Sequence, residues 1–151
     1  MIKQFEQVDI SGDVGLKVWG QDLEELFENA ARGMSELITD VSAIPDSEQR
    51  EVHVVAESIE DLLVQWLNEL VFLYDTYGFS GKQFTLHIDK NALTSPPGNT
   101  ALSISLNAVI SGGTFNPDIH EKRLLIKAAT YHNLTLGKKN STWEATVIFD
   151  I

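Results

Sequence analysis

Two long amphipathic stripes constrain this chain more than any other feature. Leu23, Leu26, Phe27, Ala30, Ala31, Met34, Leu37 and Ile38 recur at three- and four-residue steps, which predicts a helix from about Asp22 to Ile38 with one apolar face. Asp22, followed three residues on by Glu25, resembles a capping box with Asp in the place of Ser or Thr. A second stripe of Ile59, Leu62, Leu63, Trp66, Leu67, Leu70, Leu73 and Tyr74 predicts a helix from about Ser58 to Tyr77. Ser58 with Asp61 caps its start, and Gly78 is a natural stop. Both stripes read as core-facing surface, not as a cofactor-binding element.

Faces this apolar need a partner layer, and the rest of the chain supplies strands. Val52, Val54 and Ala56 alternate with polar neighbours, as do Phe84, Leu86 and Ile88, and Leu102, Leu106 and Ile110. Ile126, Ala128, Thr130 and His132 share one face of an expected later strand, and Trp143, Ala145, Val147 and Phe149 one face of the last. Val14, Leu16 and Val18 form a short early strand, and Lys3 to Val8 a weaker one. Period two over such runs marks half-buried, mostly antiparallel strands. The expectation is an α+β fold, with two amphipathic helices packed on one face of a mostly antiparallel β-sheet. Loops are expected at Ile44–Ser47, Ser95–Asn99 and Gly112-Gly113. None is long enough to be a linker, so residues 1–151 read as a single domain.

Acids outnumber bases 22 to 11, a formal net charge of -11. A surface of that sign repels a phosphate backbone, which argues against general or sequence-specific nucleic-acid binding. Lys122, Arg123, Lys127, Lys138 and Lys139 gather late in the chain, as a solvated face or as a local basic patch. No apolar run approaches a membrane span, and Met1 to Glu6 carries no secretory signal. The chain reads as cytoplasmic. With no cysteine, thiolate metal sites and thiol redox chemistry are excluded.

No phosphate-binding loop, dinucleotide-binding glycine pattern or nucleophile elbow is present. His53, His87, His120 and His132 have no metal-ligand spacing, and no residue stands out as catalytic. Two segments carry chemistry of another kind. Asp9-Ile10-Ser11-Gly12-Asp13-Val14-Gly15 sets two acids and glycines between short strands. A carboxylate there can meet a hard cation or simply cap a solvated turn. At the other end, Asp150 is followed by the Ile151 carboxylate. Repulsion between these two anions is relieved by a cation, a basic partner or water.

Asp13-Val14-Gly15-Leu16-Lys17-Val18-Trp19-Gly20, with the following Leu23 to Ala31, resembles the start of the archease family. Glu60 to Leu70 resembles its second helix, and Lys127-Ala128-Ala129-Thr130-Tyr131-His132 its Lys-Ala-x-Thr-Tyr-His strand. The closing Asp150-Ile151 resembles its terminal pair, so the likeness spans nearly the whole chain. Two positions depart from the family pattern: Ile10 stands where a histidine is usual, and Gly113 where a glutamate is usual. The resemblance implies a non-enzymatic, chaperone-like cofactor of RtcB-type RNA ligases. Such a cofactor quickens the ligase's guanylylation and allows multiple turnover in tRNA splicing and RNA repair. It also implies a divalent cation, calcium with magnesium or manganese as alternatives, held by Asp13, Asp150 and the terminal Ile151. Two other classes stand against it: a small metal-dependent hydrolase using Asp13, Asp150 and His132, and a general holdase chaperone with exposed apolar patches.

Overall fold

A computed structural model of the chain describes residues 3–89 and 103–151. The chain runs β1 (Phe5–Ile10), β2 (Asp13–Gly20), α1 (Leu23–Ile38), a 3-10 turn (Val41–Ala43), β3 (Glu48–Ala56), α2 (Ile59–Tyr77), β4 (Phe79–Asp89), β5 (Ile104–Thr114), β6 (Ala128–Ala129), β7 (Thr135–Lys139) and β8 (Thr142–Asp150). The fold is α+β, as expected, but its strands divide into two sheets. One has the order β1-β2-β8-β6 with β7 also paired to β8, and the other has the order β3-β5-β4. Every pairing is antiparallel.

The helix ends follow local chemistry. The Asp22 carboxylate accepts from the Glu25 amide at 2.8 Å, satisfying one of the orphan donors of the first turn of α1. The return arm of the box lands one residue early: Glu25 accepts from the Gln21 amide at 3.2 Å, not from Asp22. Ser58 Oγ accepts from the Asp61 amide at 3.1 Å at the start of α2. Gly78 ends α2 in the left-handed region, at φ 67°. The predicted stripes are buried, with Ile59 and Tyr74 of α2 partly so, and the Trp66 indole donates to the Phe27 carbonyl at 3.0 Å, tying α2 to α1 at the centre of the core.

Three expectations need correction. Gly112-Gly113 is not a loop; it lies inside β5. A Cβ on Gly113 would sit 2.4 Å from the Pro45 carbonyl oxygen, so close packing against a distant segment, not a turn, explains that glycine. The 126–132 segment is not a regular one-faced strand. Only Ala128–Ala129 are in strand, and the buried residues are Ile126 and Ala129, three apart. Third, β7 lacks the period-two pattern and was not expected; it pairs along β8 through a turn in which Asn140 and Ser141 both take positive φ. Leu102 and the expected loop at 95–99 lie outside the described residues.

Candidate functional site

The hairpin between β1 and β2 turns at Ser11 and Gly12, with φ of 53° and 88°, a two-residue reversal whose twist suits the flanking strands. Asp9 closes it by accepting from the Gly12 amide at 3.1 Å. Asp13 is therefore the first residue of β2, paired with Ile10. Leu16 and Val18 face the core, so alternation puts Asp13, Lys17 and Trp19 on the outer face. In β8 the core takes Ala145, Val147 and Phe149, and Glu144, Thr146 and Asp150 face outward.

The paired register of these strands stops two residues short of the candidate carboxylates. Gly15 pairs with Ile148, Leu16 with Val147 and Lys17 with Thr146; each pair sums to 163. The pairing ends there, so Asp13 and Asp150 each lie two residues beyond the last paired residue of their strands, at the same end of the sheet. Both aspartates are exposed, as is Ile151. On the far side of β8, Ala128 pairs with Asp150, and the Lys127 amide donates to the Asp150 carbonyl at 2.8 Å. This holds the final strand in place up to its last residue but one. Ile10, paired with Asp13, contributes an aliphatic side chain to the same face.

The side chains of Asp13 and Asp150 offer hard oxygen donors alone. That set fits calcium or magnesium in preference to zinc or copper. Among the described residues no three His, Cys, Asp or Glu side chains group to hold a metal. Any ion here would complete its shell with the terminal carboxylate, backbone oxygens, water or a partner's groups. His132 is exposed, its ring nitrogen 3.3 Å from the Asn133 amide nitrogen, and it joins no metal-holding group with Asp13 and Asp150.

The surrounding structure adds contacts that the sequence did not announce. Asn68, on α2, accepts from the Ala129 amide at 2.7 Å and donates to the Ala129 carbonyl at 3.1 Å, so its amide stands in for a neighbouring strand. Tyr131 donates its hydroxyl to Asp61, and that bond to a carboxylate, with some desolvation, raises the phenol above its usual range. Along the outer face, Glu144 accepts from the Trp19 indole at 2.9 Å and pairs with Lys17 at 3.4 Å. Of the late basic residues, Arg123 is engaged by Glu36 and Glu121 at 3.1 and 3.2 Å.

The Archease protein family matches residues 5–151. The chain belongs to the archease family. It is 38% identical to the protein archease of Saccharolobus solfataricus over 99% of this chain and 100% of that one. It is 32% identical to the protein archease of Sulfurisphaera tokodaii, with the same coverage of both chains. The solution structure of protein 1598 of Methanobacterium thermoautotrophicum superposes with a TM-score of 0.81 at 33% identity, covering 99% of this chain and all of that one. A Thermotoga maritima protein described as an archease and possible chaperone shares the fold at a TM-score of 0.59 and 20% identity, covering 100% of this chain and 98% of that one. No helix among the described residues is long and apolar enough to cross a membrane.

Proposed function

We propose that this archease is a non-catalytic protein cofactor of an RtcB-type RNA ligase, promoting the ligase's guanylylation and its multiple turnover. The observation that carries the reading is the family match over residues 5–151; it is supported by Asp13 and Asp150 both lying just beyond the Gly15–Ile148 pair, at one end of the β2–β8 pairing. Both aspartates are exposed. Such a site suits presentation of carboxylates, or of a cation they hold, to a partner. The reading as a small metal-dependent hydrolase is weaker, because neither His132 nor any other described His, Asp or Glu completes a three-residue metal group with the aspartates. A cation bound there would supply local positive charge; Asp13, Asp150 and the Ile151 carboxylate would hold it and set its place on the sheet edge.

The test combines purified archease with a cognate RtcB-type ligase, GTP and manganese. Guanylylation should quicken, and one ligase should seal many RNAs. Turnover that stays flat across a wide range of archease concentration rejects the reading, and GTP or RNA consumption by the archease alone moves the hydrolase class ahead. The cation is tested apart from activity. Calcium at about 100 times its dissociation constant should add roughly 2.7 kcal/mol of stability. Asp13→Asn and Asp150→Asn should each shrink the accompanying rise in melting temperature. A C-terminal extension, which removes the free carboxylate beside Asp150, should do likewise, while an N-terminal tag leaves the rise intact.

A further inference from the structure

The two outer strands of the β3-β5-β4 sheet are finished differently. Along β4, α1 covers the free edge with carboxylates: the Ile88 amide donates to Glu24 at 3.5 Å, and the Leu86 amide donates to Glu28. Those contacts fix the phase of the whole sheet. Successive residues of a strand aim their backbone groups to opposite sides, so Leu86 and Ile88 point away from β5. Their partners in β5, Ala108 and Leu106, therefore point toward β3, where they meet Val52 and Val54. The alternate residues Glu51, His53 and Val55 then aim their N–H and C=O groups at the outer side of β3. Among the described residues those groups have no backbone partner.

This edge borders a cleft. A space of 320 Å³ lies between His53 and Val55 on one side and Tyr131 on the other, with Gln65, Asn68 and Glu69 of α2 as its floor. Tyr131 is held upright there by Asp61. The Glu69 carboxylate has no ion-pair partner among the described residues, and Asp61 adds a second anion at the wall.

We propose that β3 accepts an extended, lysine- or arginine-bearing segment of a partner protein as an added strand in the cleft between β3 and Tyr131. Backbone bonds to His53 and Val55 would supply the pairing, and Glu69 the charge preference. The net charge of -11 disfavours RNA in this groove. It also disfavours a second copy of the chain, which would bring one acidic edge against another. The cleft shares no lining residue with Asp13 or Asp150, and the proposal does not depend on the ligase reading.

The probe is a blocked peptide of about six residues alternating lysine and valine, with a glutamate-and-valine peptide as control. Amide hydrogen exchange is followed by NMR. The lysine peptide should slow exchange at His53 and Val55 and leave Val52 and Val54, already bonded to β5, unchanged. Val55→Pro, which removes an edge N–H without touching the β5 ladder, should abolish the slowing. Glu69→Lys on the half-exposed helix face should weaken binding roughly tenfold. If Val55→Pro unfolds, Glu69→Lys carries the test. No slowing at millimolar peptide, equal slowing by the glutamate peptide, or undiminished binding to Glu69→Lys overturns the proposal. So does slowing that tracks protein concentration without peptide, since that outcome assigns the edge to a second copy.

Discussion

Asp40 shows how much one exposed side chain can fix. Its carboxylate caps the 3-10 turn by accepting from the Ser42 amide at 3.1 Å and the Ser42 hydroxyl at 2.7 Å, and those bonds hold it below the usual 3.8. The folded state therefore binds this proton less readily than the unfolded chain. The stability Asp40 contributes is present above pH 3.8 and is lost as pH falls through its lower folded value. Asp40→Asn should accordingly lower the melting temperature at pH 7, and the gap from wild type should close in melts taken below the folded value. Gly113 makes a different demand. Because its Cβ would sit 2.4 Å from the Pro45 carbonyl, Gly113→Ala should cost about 1–3 kcal/mol, the usual penalty for overfilling a packed contact. Denaturant titration would measure it, and an unchanged midpoint would mean that the 44–47 segment yields freely. Local sequence could not show this, since a pair of glycines reads as a turn unless the residue packed against it is known.

Among the elements, α1 and α2 were legible almost to the residue, because a helix writes its period and its caps into neighbouring positions. Ser58 and Gly78 bound α2 in the structure as in the sequence. The segment from Ile126 to His132 was not legible. Its order comes from elsewhere: Ala129 is clasped by the Asn68 amide, and Thr130 is bonded through both its amide and its hydroxyl to the Ile148 carbonyl at 3.0 and 2.8 Å. No period of apolar residues records such bonds. Asn68→Ala should strip the clasp, leave the Ala129 backbone groups short of partners, and cost about 1–3 kcal/mol. Faster exchange of the Ala129 amide would locate the loss. A melt and an Ala129 exchange rate equal to wild type would show that water replaces the side chain without penalty. β7 escaped notice for a related reason, since its five residues hold a single half-buried aliphatic, Leu136, and its position is set by the backbone of β8.

At the scale of the whole molecule, the α+β class follows from two apolar helix faces and many short strands, whereas the division into two sheets does not. Alternation tells which residues face inward, but it carries no record of which strands are neighbours. The candidate site shares that limit. Asp13 and Asp150 could be singled out as acids near chain features of their own, and the family likeness joined them. Their place at one end of the β2–β8 pairing, just beyond Gly15 and Ile148, follows from register alone. That register has a consequence for how the molecule is assembled. β8 is an inner strand, flanked by β2 on one side and by β6 and β7 on the other, although residues it contacts, such as Trp19 and Glu144, are 125 positions apart in sequence. The hairpin of β1 and β2 can form early by local contacts, but its sheet must wait for the closing strand to cross nearly the full length of the chain. Asp13 and Asp150 reach the same end of the sheet only after that last strand has docked. Under the proposed function, a partner that read both carboxylates would thus meet finished molecules alone, and the pair would double as a certificate that folding is complete.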